Sequence, residues 1–419
     1  MILLLIIADD FTGALDTGVQ FAARGIHTKV VVNADIDFTT QDTKVLVVDT
    51  ETRHLSPDKA YNIIYQLVKR SVCAGIPHIY KKTDSALRGN IGAELAALLD
   101  ATGLKQLPFL PAFPQIGRVT RNGIHYIDGV PVTDSPFGID PFEPVRHAVI
   151  SELIAEQTDY PVQNFSSLTD TDSFINQKGI LVFDAEHTDD LANTGKQLLK
   201  HNVLHIMAGC AGFGTSLPEL LNITPDTKCS FPKLNPRLLV ICGSVNPITL
   251  TQLDKAEQNG FSRLRLTPEQ KLTENYWQSS DGNKELLEIE KLLQSSPHCI
   301  IDTNDTGGNQ KTSDYAEKHC LDLETIRVRI SENLGMLVGK LFTSPALGTL
   351  LLTGGDTLLQ CMNCIGVHEL EPICELAKGV VLARFTYQGC TRHIITKSGG
   401  FGQENLLITL TAKIKGGAK

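Results

Sequence analysis

The chain has 419 residues, 42% of them hydrophobic and 20% charged, with a formal net charge of −9, which describes a globular protein too long for one ordinary core. This mild acidic balance offers no basic face of the kind nucleic acid demands, so nucleic acid is not expected as a partner. No run approaches the roughly 20 apolar residues of a membrane span, and ten scattered cysteines, in strand-like runs such as VICGS and HCIID, fit reduced thiols of a cytoplasmic protein better than a disulfide framework.

The first apolar run, residues 2–7, ends in the adjacent acids Asp9 and Asp10 rather than in a small-residue cleavage site, so it reads as a buried strand and not as a leader. A helix is expected over 14–24, then strands over 29–32 and 45–48. Pro57, at a first-turn position after the cap candidate Ser56, opens a helix over 57–74. A strand over 78–81, a helix over 91–101 and a strand over 106–110 follow. Residues 113–142 are irregular and rich in Pro, Gly and Asp, as functional loops often are; Arg118 and Arg121 within them either reach a ligand or stand in solvent. A helix over 143–156 and a strand over 180–183 end this half. The polar, Pro-containing segment 222–237 reads as a linker. Beyond it the alternation resumes, with strands over 238–242, 299–302, 349–353 and 379–384 and helices over 248–259, 323–342 and 403–413. Strands alternating with helices predict an α/β fold: two domains, 1–225 and 236–419, with mainly parallel sheets flanked by helices.

In such sheets ligands bind beyond the carboxyl ends of the strands. In the first half those ends carry Asp9 and Asp10, the run DTETRH (49–54) with Arg53, and KKTDSALRGN (81–90) with Lys81, Lys82, Asp84, Ser85 and Arg88. If the strands are neighbours, these three loops share one rim. Guanidinium and ammonium groups match a carboxylate, while acids and hydroxyls match sugar hydroxyls, so an acidic polyol fits the inventory. The plainer alternative is helix capping, by Asp10 near Gly13 and by Asp84 or Ser85 for the next helix.

In the second half the strand ends are glycine-rich and poor in charge: GSVNPIT (243–249), TNDTGGN (303–309), TGGDT (353–357) and KSGGFG (397–402). Glycine lets backbone N–H groups approach a phosphate at a helix N-terminus. Neither GxxxxGK[ST] nor GxGxxG is present, which counts against a dinucleotide-dependent dehydrogenase. Asp356 beside an anion makes sense through Mg²⁺ or a ribose hydroxyl. Cys361 and Cys364 form a CxxC with no second pair to complete a zinc set. An acidic-polyol pocket and a polyphosphate site together suggest phosphoryl transfer, with Asp9, Asp10 or Asp84 accepting the hydroxyl proton.

The six stretches IADDFTGALDTG, DTETRH, KKTDSALRGN, GSVNPITLTQ, TGGDT and KSGGFG together resemble the four-carbon acid sugar kinase family, long catalogued as a domain of unknown function. The resemblance covers nearly the whole chain. It implies a cytoplasmic, ATP- and Mg²⁺-dependent kinase of D-threonate, D-erythronate, L-threonate or 3-oxo-tetronate, phosphorylated at the terminal 4-hydroxyl, with the active site in an interdomain cleft. It implies acid-sugar contacts at Asp9, Arg53, Lys81, Lys82, Thr83 and Asp84. The implied ATP contacts are Ser244, Gly354, Gly355, Asp356 and Thr357, with Gly399 or Gly400 in the last loop. Ser135 stands where the family pattern TPF-x-x-DP has Thr, which bears on substrate preference. The partners so implied are a small-molecule acid sugar, no nucleic acid and no membrane, with a homodimer an open possibility and the metal ligands unknown. A non-catalytic binding protein of the same fold is the alternative.

Overall fold

The computed structural model describes residues 1–32, 34–140, 144–166, 173–226 and 230–416. Its contacts divide the chain into two units, Met1–Lys228 and Cys229–Lys419, a boundary inside the polar segment 222–237.

The first unit contains β1 (Leu4–Ala8), β2 (Thr28–Val32), β3 (Val45–Asp49), β4 (His78–Lys82), β5 (Gln106–Leu110), the short β6 (Arg118–Arg121), β7 (Ile124–Ile127) and β8 (Val130–Pro131), then β9 (Val162–Phe165), β10 (Gly179–Phe183) and β11 (Ile206–Gly209). Its helices are α1 (Phe11–Ala22), α2 (Pro57–Cys73), α3 (Ile91–Thr102), α4 (Ile150–Ala155), α5 (Thr188–Lys200), α6 (Ala211–Gly214) and α7 (Leu217–Leu220). Eight strands form a parallel sheet in the order β2-β3-β1-β4-β11-β5-β10-β9. β1 is an unbroken apolar run because both its faces are covered. Leu5 and Ile7 share a core with Ile64, Leu67 and Val68 of α2 and with Leu95 and Leu98 of α3, while α1 packs on β2 and β3.

β3, β1 and β4 are adjacent, in the register Ala8↔Asp49 and Ala8↔Lys82. The chain therefore leaves all three strands at one edge, carrying Asp9–Asp10, the loop with Arg53, and Thr83–Ser85 to the same place.

The second unit contains β12 (Leu238–Cys242), β13 (Ser262–Arg265), β14 (His298–Asp302), β15 (Thr349–Thr353), β16 (Glu369–Ala377), β17 (Val380–Tyr387) and β18 (Cys390–Lys397). Its helices are α8 (Pro247–Gln258), α9 (Pro268–Leu272), α10 (Ser280–Ser295), α11 (Gln310–Lys318), α12 (Leu323–Leu341), α13 (Gly355–Cys364) and α14 (Leu406–Gly416). The strand order is β13-β14-β12-β15-β18-β17-β16. The first five are parallel and β17 is antiparallel to both neighbours. Val240, Ile300, Leu351 and Ile395 form its core with Leu253 of α8 and Leu407 and Leu410 of α14.

Several sequence expectations need correction. The irregular segment 113–142 contains the antiparallel hairpin β6-β7-β8, whose Gly and Asp residues are its turns: Asn122 and Asp128 both take positive φ. The helix expected over 143–156 is observed from Ile150, and Glu143 lies outside the described residues. The strand expected at 379–384 is the second arm of a hairpin, entered through Gly379 at φ +68°. Ser56 occupies the cap position of α2, but its hydroxyl makes no capping bond.

Candidate functional site

Asp9 and Asp10 leave β1 in opposite roles. Asp10 caps α1: its Oδ1 accepts from Gly13 N at 3.1 Å and its Oδ2 from the Thr12 hydroxyl at 3.2 Å. Gly13 is required here, because a Cβ on it would lie 2.4 Å from Asp10 Oδ1 and 2.8 Å from Lys82 Nζ. Asp9 is buried. Arg53 spans the pair, donating through Nε to Asp9 Oδ2 at 2.8 Å and through Nη2 to Asp10 Oδ1 at 2.7 Å. Burial works to raise the Asp9 carboxyl, but Arg53, Lys81 and Lys82 together hold it below the ordinary carboxylate range. This arrangement resolves the repulsion between the neighbouring acids.

The two lysines ending β4 diverge, because successive strand residues face opposite sides of a sheet. Lys81 is fully buried and its ammonium pairs with Glu94 of α3 at 2.9 Å; Glu94 also accepts from the Thr52 hydroxyl. Lys81, expected as a ligand contact, is thus sealed beneath the rim by an ion pair. Lys82 is 5% exposed, and its ammonium makes no hydrogen bond among the described residues.

Asp84 does not cap the next helix, whose cap position is Asn90. Its carboxylate instead closes its own turn, accepting from Ala86 N and Arg88 N. It also grips the Arg88 guanidinium at 2.8 and 3.1 Å. Burial would raise it, but Arg88 and Arg53 hold it well below the usual carboxylate range. Ser85 is held differently: its hydroxyl accepts from Arg118 of β6, and its carbonyl from His125 Nε2 at 2.9 Å. Arg121 turns away to an ion pair with Glu186. Among the described residues, the buried Asp9 Oδ1 and Thr83 Oγ1 at this rim have no hydrogen-bond partner, nor does Asp49 Oδ2 at the end of β3. With the Lys82 ammonium, Asp9 Oδ1 and Thr83 Oγ1 offer two acceptors, a hydroxyl donor and a cation to a polar ligand.

In the second unit β14, β12, β15 and β18 are neighbours, so the four glycine loops emerge side by side. Gly243 is packed too closely for a side chain, since a Cβ would meet Thr357 Oγ1 at 2.0 Å. Gly354, at φ +107°, caps α13, which begins at Gly355 with Asp356 and Thr357 in its first turn. A Cβ on Gly399 would lie 2.9 Å from Ser244 Oγ, so the first and last loops touch. Asn304 donates to the Ser244 carbonyl at 3.1 Å and to Asp302 at 2.8 Å, binding in the second loop. Asp356 pairs with Arg327 of α12 at 2.6 Å, which answers how an acid is tolerated beside the glycines.

Sequence reasoning missed the buried lysines behind these loops. Lys397, 1% exposed, donates to the carbonyls of Ser398 and Gly399 at 3.0 and 3.1 Å and to the Thr249 hydroxyl at 3.0 Å. Burial pushes its ammonium down to about 8. Lys271 donates to the Thr303 carbonyl at 2.5 Å and to Asp305 at 2.7 Å. At Lys397 the inward carbonyls of Ser398 and Gly399 aim the N–H groups of the same peptide units the other way, as an anion cradle requires, whereas the N–H that follows the Thr303 carbonyl donates to Asp302 at 3.1 Å.

Cys361 and Cys364 lie on α13; Cys361 is buried and burial raises its thiol, as expected of a packed rather than reactive group, while Cys364 is exposed. Among the described residues no group of three or more His, Cys, Asp or Glu is placed to hold a metal, and no helix is long and apolar enough to cross a membrane.

Residues 4–217 match a family model described as a sugar-binding N-terminal domain, and residues 239–407 one described as a nucleotide-binding C-terminal domain. The chain is 29% identical to a D-threonate kinase of Salmonella typhimurium over 96% of both chains. It is 25% identical to a D-erythronate kinase of Heliobacterium modesticaldum over 97% of this chain and 95% of that one. A solved structure from Salmonella typhimurium LT2 superposes with a TM-score of 0.79, covering 97% of this chain and 98% of its own at 18% identity. That likeness speaks to the fold alone.

Proposed function

Because the chain belongs to the four-carbon acid sugar kinase family, we propose that it transfers the γ-phosphoryl group of ATP to the terminal 4-hydroxyl of a tetronate such as D-threonate or D-erythronate. The observation that carries this reading is the charged rim of the first unit, where, among the described residues, a buried carboxylate oxygen and a buried hydroxyl have no hydrogen-bond partner and the Lys82 ammonium makes no hydrogen bond. The hydroxyls of a polyol meet the first two, and an anionic group on the substrate or the transferred phosphoryl meets the cations of the rim. The tetronate is held by Asp9, Arg53, Lys82, Thr83, Asp84, Ser85 and Arg88, with Lys81 supporting them. ATP is held by Ser244, by Gly354, Gly355, Asp356 and Thr357, and by Gly399 and Gly400.

Of the three candidate bases, Asp9 is favoured. Both Asp84 oxygens are taken by Arg88, and both Asp10 oxygens by the α1 cap and Arg53. Asp9 keeps Oδ1 to accept the hydroxyl proton. A carboxylate of low proton affinity still serves here, because phosphoryl transfer rests mainly on positioning and charge neutralisation.

Mg²⁺ would accompany the nucleotide and neutralise charge on its phosphates. The donor set fits a metal carried mainly by phosphate and water: the nearby acids Asp302, Asp305 and Asp356 are each held by a cation, with Asp356 the most exposed. The proposed compartment is the cytoplasm, where ATP is available.

The test is ADP release from ATP and Mg²⁺ across a panel of four-carbon acid sugars. Turnover on a tetronate is expected. Intact ATP binding with no turnover on any member would favour the non-catalytic binding protein instead.

A further inference from the structure

Not every cation around the rim is held by a carboxylate in direct contact. Asp9 and Asp10 share Arg53, Asp84 is held by Arg88, and Glu94 by Lys81, all within 4 Å. Four carboxylates thus face three cations in direct contact. Two more cations, Lys82 and Arg118, have no carboxylate within that distance among the described residues. Arg118 is only partly buried, and a guanidinium with no carboxylate in direct contact can take one from a ligand.

Arg118 is held for such a task. It opens β6, pinned to Phe113 by backbone bonds of 2.7 and 3.2 Å. Its guanidinium donates to the Ser85 hydroxyl, in the turn that carries Asp84. The guanidinium also lies 5.0 Å from the centre of the Phe137 ring, which Arg88 flanks at 5.2 Å. A serine contact and a ring face use little of a guanidinium's five-donor fork, whose natural complement is a planar carboxylate.

Building on the reading of this unit as the tetronate site, we infer that Arg118 is the receptor of the substrate carboxylate and makes the enzyme select acid sugars over neutral polyols. Lys82 remains for the hydroxyl end and the transferred phosphoryl group. The hairpin β6-β7-β8 is then a specificity element, because it brings Arg118 to a rim built otherwise from strand ends.

The test is calorimetric binding of a tetronate, and of the four-carbon alditol lacking the carboxylate, to wild type, Arg118→Gln and Arg118→Lys. Arg118→Gln is expected to weaken tetronate binding about 10- to 100-fold, the worth of a charge-assisted hydrogen bond. Alditol and ATP binding should stay unchanged, and Arg118→Lys should recover part of the loss. Unchanged tetronate binding in Arg118→Gln, or an equal loss for alditol and tetronate, overturns the inference. Failure of the kinase reading looks different: tetronate binds wild type and responds to Arg118→Gln, but no ADP is released. A wild type that binds no tetronate overturns both.

Discussion

Asp9 and Asp10 are adjacent, alike in charge and unlike in work. The sequence leaves their roles open because capping and ligand binding ask for the same residue type; the hydrogen bonds separate them. Asp10 spends its oxygens on α1 and Arg53, and Asp9 keeps one free. Asp9→Asn should therefore lower kcat by about 10²- to 10⁴-fold, the usual worth of a general base, with ATP affinity unchanged; a kcat within threefold of wild type would exclude Asp9 as proton acceptor. His125 shows the same economy. The Ser85 carbonyl can only accept, so Nε2 carries the proton and Nδ1 accepts from the Thr120 hydroxyl at 3.3 Å. Burial lowers this imidazole from 6.5 to about 4. Between those values the unfolded chain binds the extra proton, so stability falls as pH drops from 6.5 towards 4, by about 3 kcal/mol in total. Denaturant melts should show that loss in wild type and a flatter profile in His125→Gln.

At the scale of elements, the three charged loops are legible because each follows an apolar run, and only the adjacency of β3, β1 and β4 had to be learned from the fold. The same holds for the glycine loops after β12, β14 and β15; β18, whose first half CTRH is polar, is not expected as a strand. Lys81 and Lys82 are not separable in sequence, since which of two consecutive strand residues faces α3 depends on packing. The hairpin carrying Arg118 escapes notice for a related reason: strands of two to four residues are too short to show alternation, and their turn residues dominate the composition. The lysines behind the glycine loops are missed because a buried cation bonded to carbonyls has no sequence signature. Lys397→Met should release the Ser398 and Gly399 carbonyls and raise the Kd for ATP about tenfold or more, leaving tetronate binding untouched. Since the folded ammonium titrates near 8 rather than 10.5, wild-type ATP affinity should fall as pH rises past 8 and the variant's should not. A titration showing parallel pH profiles for the two would contradict the bracing role.

For the whole molecule, the net charge of −9 says little about a site that gathers Arg53, Lys82, Arg88 and Arg118; local composition decides what binds. The two-unit organisation is readable from the polar segment 222–237, because the stretch lacks apolar periodicity, although Leu234 within it joins the core of the second unit. Each unit then meets one requirement of phosphoryl transfer: a rim of charged and hydroxyl groups for the acceptor, and glycine loops over helix N-termini for the donor. Phosphorus-31 NMR of the product formed from ATP and a tetronate tests this account most directly. The account predicts a new phosphomonoester resonance coupled to the two protons of the C4 methylene, appearing in step with ADP. Phosphate found on C2 or C3, or ATP bound and unchanged beside a bound tetronate, would contradict it.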